Sequence, residues 1–150
     1  MNLSPLGLAI IESFEELRLV AYQDQHGVWT IGWGHTGPTV HEGLTCSPAQ
    51  ADEWKTEDVR RAMIAVNIQT MGLQAASKLT QHQFDALTSF TYNAGVEAFE
   101  GSTLRGLLVS GNLVEAADEF PKWNHVNGVV NAGLTKRRTL ERALYLDGMS

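Results

Sequence analysis

The sequence predicts an α+β fold in two lobes, a small β-hairpin lobe near the N-terminus and a larger helical lobe, joined by a long helix. Three observations predict it. Apolar residues recur at helical spacing through most of the chain. One short stretch, residues 20–31, switches to β-branched and aromatic residues on either side of a turn sequence. No repeat, low-complexity tract or Pro/Gly/Ser-rich linker divides the 150 residues, which suits a single domain over 1–150.

The elements follow in order. Ser4-Pro5 opens the first helix, with Ser as N-cap and Pro at the first helical position. Leu6, Ile10, Phe14 and Leu17 give it a buried stripe over 4–17. Val20-Ala21-Tyr22 leads through Asp24-Gln25-His26-Gly27 into Val28-Trp29-Thr30-Ile31, a hairpin. Gly32, Gly34 and Gly37 make the next stretch irregular, and the β-lobe covers about 18–46. Ser47-Pro48-Ala49-Gln50 is a capping box opening a helix over about 47–70, with Val59, Ala62, Met63 and Val66 inward. Thr80-Gln81-His82-Gln83 opens another, with Phe84, Leu87 and Phe90 inward. Shorter helices follow Ser102 and Asn112. The last begins near Thr135, carries Leu140 and Leu144, and stops at Gly148. The helical lobe is thus about 71–150 plus the N-terminal helix, and beyond Thr36 almost everything is helix.

Composition narrows the function classes. A net charge of −6 argues against nucleic-acid binding. No apolar run approaches the roughly 20 residues of a membrane span, so no stable membrane insertion is expected. The start, MNLSPLGLAII, lacks the basic region of a signal peptide, which suits synthesis in the cytoplasm. The single cysteine, Cys46, allows no internal disulfide and carries no thiol-enzyme motif around it. Five histidines show no ligand spacing such as HExxH, so neither a metal nor another cofactor is expected. Residues 121–150 carry 5 Lys+Arg against 2 Asp+Glu, a basic end on an acidic chain. That end either meets an anionic polymer or pairs with the acidic body.

The chemistry-bearing set is Glu15, Asp24 and Thr30, at intervals of nine and six. Glu15 lies near the end of the first helix beside its apolar stripe, where partial burial raises a carboxyl's pKa. Asp24 opens the hairpin turn, and Thr30 sits on the returning strand. Two carboxyls so placed suit glycoside hydrolysis: one protonates the leaving oxygen, and the other handles water or developing positive charge. Glu12 and Glu16, four apart, read as a solvated face.

These residues carry a resemblance. Glu-x8-Asp-x5-Thr followed by Ile31-Gly32-Trp33-Gly34-His35 is similar to the N-terminal pattern of the phage-type lysozymes, the T4-like and P22-like muramidases of glycoside hydrolase family 24. Leu79-Thr80-x-x-Gln83-Phe84-Asp85-Ala86-Leu87 through Phe90-x-x-Asn93-x-Gly95 resembles the central helices of that family. Ser102-Thr103-Leu104 and Gly133-Leu134-Thr135-Lys136-Arg137-Arg138 resemble its C-terminal half. The resemblance implies a lysozyme fold and an endolysin, a monomer cutting the β-1,4 bond between N-acetylmuramic acid and N-acetylglucosamine in peptidoglycan during host lysis. Glu15 would be the general acid, with Asp24 and Thr30 positioning water or stabilising charge, and relatives of this kind are described as inverting. It further implies synthesis in the host cytoplasm, export assisted by a holin, and action in the periplasm or wall. Glu16 departs from the pattern, since many relatives have Gly there.

The same resemblance makes Gly34, His35, Tyr92 and Asn93 the expected substrate-binding residues, with His35 either structural or cleft-lining. At most one of Tyr22, Trp29 and Trp33 is expected to touch substrate. Arg137 and Arg138 are candidates to pair with an acid at the base of the first helix. Two rival functions remain: a lytic transglycosylase on the same bond, which needs one acid and no water-positioning pair, and a non-catalytic wall-binding module.

Overall fold

A computed structural model describes residues 1–149; Ser150, the end of the expected domain, lies outside the described residues. Helix α1 (Pro5–Ser13) opens on Ser4, whose Oγ accepts from the Gly7 amide at 3.1 Å. It is shorter than its apolar stripe suggested. Ser13 Oγ donates back to the Ile10 carbonyl at 2.7 Å, and Phe14 caps the end. Gly7, Ile10 and Ile11 form its buried face, while Leu6 is exposed. Glu15 therefore stands two residues beyond the helix, in the link to β1.

Strands β1 (Arg18–Gln23) and β2 (Trp29–Gly32) pair antiparallel, with Tyr22 opposite Thr30 and a bulge between Arg18 and Tyr22. The segment beyond β2 folds back on the sheet through a Val20–Thr45 bridge and the Cys46 amide donating to the Leu19 carbonyl at 3.0 Å. Helix α2 (Pro48–Ala75) then runs 28 residues, about 42 Å at 1.5 Å per residue. It extends five residues past the expected end. Ser47 Oγ accepts from the Gln50 amide, but the Gln50 side chain donates to Glu53 and not back to the cap.

Helix α3 (Gln81–Ala94) opens on a complete capping box between Thr80 and Gln83. Phe84, Leu87 and Phe90 are fully buried on it, and Phe90 meets Phe99, Phe120 and Trp123 edge-on. Helix α4 (Val96–Glu100) packs on α3, α5 (Thr103–Val109) on α2 and on α6 (Leu113–Ala117), and a 3-10 turn at Phe120–Lys122 on the last helix. A second small hairpin, β3 (His125–Val126) and β4 (Val129–Val130), follows where only helix was expected. Asn127-Gly128, both at positive φ, form its turn. Helix α7 (Ala132–Asp147) starts three residues earlier than expected, with Asn131 as its cap. Its inner face differs from the apolar expectation. Leu144 is buried but Leu140 is exposed, and the burial is carried by Arg137, Arg138, Glu141 and Tyr145.

Candidate active site

The hairpin and the helical lobe face each other across a cleft of about 1030 Å³. Glu15, Asp24 and Thr30 all line it, as do Tyr22, Gly34, Tyr92, Asn93, Arg137 and Arg138. Glu15 lies in the link between α1 and β1, its side chain 16% exposed. Its Oε1 accepts from Arg137 Nη1 at 3.1 Å. Its Oε2 lies where Gly34 comes closest: a Cβ on that glycine would sit 2.8 Å from Oε2, and the residue holds φ +90°. Only glycine fits both demands at once.

Burial pushes the Glu15 pKa above the ordinary value of 4.5, and the Arg137 charge and hydrogen bond pull the other way without cancelling it. Tyr22 and Tyr92, facing the same carboxyl, have raised phenol pKa values, first through burial and then through the Glu15 charge. Tyr92 stays protonated, and its hydroxyl donates to the Trp33 carbonyl at 2.7 Å, fixing the backbone next to Gly34.

Asp24 is placed by the hairpin turn. Its Oδ1 accepts from the amides of His26 and Val28 at 2.8 and 2.9 Å, a side-chain-stabilised turn that leaves Oδ2 available. Thr30 is 4% exposed and donates its hydroxyl proton to the Val28 carbonyl at 2.9 Å. The oxygen is thereby an acceptor toward the cleft.

Of the four expected substrate contacts, Gly34, Tyr92 and Asn93 line the cleft and His35 does not. His35 Nδ1 bonds Asp58 Oδ2 at 2.7 Å, and its ring stacks on Trp54 at 4.7 Å and 9°. It locks the glycine turn to α2. Asn93 accepts from Arg138 through Oδ1, leaving its amide nitrogen for the cleft. Among Tyr22, Trp29 and Trp33, Tyr22 alone lines the cleft; Trp33 Nε1 donates to Asp52.

The basic end of the chain is largely consumed internally. Arg137 pairs with Glu15 and Glu141, Arg138 with Glu141, and Arg142 with Asp118. Glu12 and Glu16 are both exposed, as expected of a solvated face, Glu12 paired with Lys55 at 2.6 Å and Glu16 beside Arg18. Sequence reading missed Glu141, a fully buried acid among charged neighbours. Its signal was an Arg-Arg-x-x-Glu spacing that puts all three on adjacent helical turns. Among the described residues, no group of three His, Cys, Asp or Glu is placed to hold a metal ion, and no helix is long and apolar enough to cross a membrane.

The chain is similar to known proteins over nearly all its length. The phage lysozyme family matches residues 12–141. The endolysin of Bacillus phage B103 is 42% identical over the whole chain, which spans 56% of that relative's length; the Bacillus phage PZA endolysin is spanned to the same extent. The endolysin of Salmonella phage P22 is 35% identical, with 97% of this chain matching 99% of that one. Among solved structures, the muramidase domain of SpmX from Asticaccaulis excentricus is 38% identical, with TM-score 0.78 and 97% of each chain covered. The endolysin from Escherichia coli O157:H7 phage FAHEc1 is also 38% identical, with TM-score 0.76 over 98% of this chain and 94% of that one. The lysozyme-like fold of these neighbours is the α+β, two-lobed arrangement described above. The match runs from the first acid of the cleft to the last arginine-bearing helix that faces it, and the chain belongs to the phage lysozyme family.

Proposed function

We propose that this chain is an endolysin muramidase, hydrolysing the β-1,4 bond between N-acetylmuramic acid and N-acetylglucosamine in bacterial peptidoglycan. The observation that carries this reading is Glu15, a mostly buried carboxyl in a large cleft with its pKa raised by desolvation. Such a group keeps its proton closer to neutral pH and can pass it to a leaving glycosidic oxygen. Arg137 holds Oε1, so the transferable proton rides on Oε2, beside Gly34. Asp24 Oδ2 and Thr30 Oγ1 are both acceptors. A water donating one proton to each turns a lone pair toward the anomeric carbon. Asp24 also offsets the positive charge of an oxocarbenium-like transition state. Asn93 Nδ2 suits an N-acetyl carbonyl of the substrate.

The names of the relatives support the same wall substrate and a role in host lysis. We place the enzyme at the host cell wall after synthesis in the cytoplasm, acting as a monomer and released with the help of a holin. The test is to incubate wild type and Glu15→Gln with purified peptidoglycan and analyse the sugar ends by mass spectrometry. New reducing ends from wild type alone support the reading. Anhydro ends as the main product would make it a lytic transglycosylase, and binding without cleavage a wall-binding module.

A further inference from the structure

We infer that Glu141 is a positioning residue for Glu15: buried between Arg137 and Arg138, it turns the Arg137 guanidinium so that a single N–H reaches the Glu15 carboxyl. The inference rests on reading Glu15 as the acid. Glu141 has no exposure to solvent. One of its oxygens accepts from Ser89 Oγ at 2.7 Å and Arg137 Nε at 3.1 Å, and the other from Arg138 Nη1. Arg137 Nη2 is taken up by the carbonyl and hydroxyl of Ser89, each at 3.3 Å. Nη1 is the nitrogen left for Glu15.

An arginine free to rotate would present two parallel N–H groups to a carboxylate, the strongest geometry such a pair has. That would favour ionised Glu15, the wrong form for a proton donor. Glu141 prevents it in two ways. It holds Nε, and the Ser89 it also binds holds Nη2, so neither the Nε/Nη2 nor the Nη1/Nη2 fork is open to Glu15. It also contributes a negative charge, so two buried arginines present about one net positive unit to Glu15. The remaining titratable groups change little of this. Tyr22 from β1 and Tyr92 from α3 face Glu15 as neutral phenols. Glu12 is tied to Lys55. Next to Glu141, α3 offers only the neutral Ser89 and, through Arg138, Asn93. The 3-10 turn offers the Trp123 carbonyl to Arg138, with its Glu119 and Lys122 paired to each other. From α6, Asp118 is spent on Arg142. Tyr145, on the same helix, is a raised, neutral phenol.

The experiment is a carboxyl NMR titration of Glu15 in the full chain, alongside the pH profile of wall cleavage, in wild type, Glu141→Gln and Glu141→Asp. Glu141→Gln should lower the Glu15 midpoint by about one pH unit or more. The alkaline limb of activity should move with it, a loss of about tenfold per unit on that limb. Glu141→Asp keeps the charge, strands no arginine and retracts the carboxylate by one methylene. It is the variant expected to fold in any case, with a smaller shift in the same direction. A folded variant of either kind in which Glu15 titrates as in wild type overturns the inference, because a purely structural Glu141 lowers stability and leaves the titration in place. A wild type that cuts no glycan would defeat the proposed function, yet the Glu15 titration would still decide the role of Glu141.

Discussion

Replacing Gly34 by alanine probes the tightest contact in the cleft. The added methyl would meet Glu15 Oε2 at 2.8 Å, against roughly 3.4 Å for ordinary contact, so the carboxyl must retreat by about 0.6 Å. Misplacing a reacting group by about 1 Å costs on the order of a hundredfold in rate, so turnover should fall roughly ten- to a hundredfold. The backbone contributes separately. Alanine at φ +90° is strained by about 1–2 kcal/mol, which in a chain of this size lowers Tm by roughly 3–8 °C. Gly111→Ala separates the two effects: it sits at φ +80° between α5 and α6 with nothing near its missing Cβ. Both variants should lose comparable stability, but only Gly34→Ala should lose turnover per folded molecule. Thermal denaturation and release of reducing ends from peptidoglycan provide the two readings. If Gly34→Ala turns over like Gly111→Ala, the close approach to Glu15 does not position the acid.

Three other outcomes are expected. Because folding raises the Glu15 pKa, the folded protein binds that proton more tightly than the unfolded chain. The stability of wild type relative to Glu15→Gln should therefore be highest below about pH 4.5 and decline as pH rises from there through the folded pKa; paired melting curves across pH that stay parallel would contradict this. Thr30→Val conserves shape but removes the acceptor, so cleavage should drop on the order of a hundredfold while urea midpoints move little; unchanged cleavage would remove Thr30 from the mechanism. His35→Ala loses one hydrogen bond and one ring stack, about 2 kcal/mol by urea unfolding, and turnover per folded molecule should survive because His35 does not line the cleft. A loss of turnover far beyond the unfolded fraction would return His35 to the substrate.

What was legible in the sequence was local. The hairpin, the caps at Ser4, Ser47 and Thr80, and the inward Phe84, Leu87 and Phe90 all follow from short-range patterns that tertiary packing reinforces. Helix ends were less legible. The stripe through Leu17 suggested a longer α1, but Ser13 satisfies a carbonyl of its own helix and the chain turns away at Phe14. Leu140 misled for a different reason. The inner face of α7 is largely polar, and apolar periodicity is blind to a buried face whose charges pair with one another. The β3–β4 hairpin has two-residue strands, too short for alternation to register, although Asn127-Gly128 marked the turn. The candidate set Glu15, Asp24 and Thr30 could be named because its members are fifteen positions apart at most, whereas the side chains that hold Glu15 and the backbone beside it come from α3 and α7.

The bond between Arg137 and Glu15 joins positions 122 residues apart in the chain. On the ribosome, the hairpin and all three proposed catalytic residues are made early, at roughly 5–20 residues per second, and α7 comes last of the elements. Until it docks, Glu15 has no counter-charge, and the face of α3 that carries Ser89 lies open to water. A nascent or truncated chain ending before α7 thus holds every proposed reacting group but lacks the arginine that pairs with Glu15. Assembly of the cleft therefore waits until α7 has been made and has docked on α3.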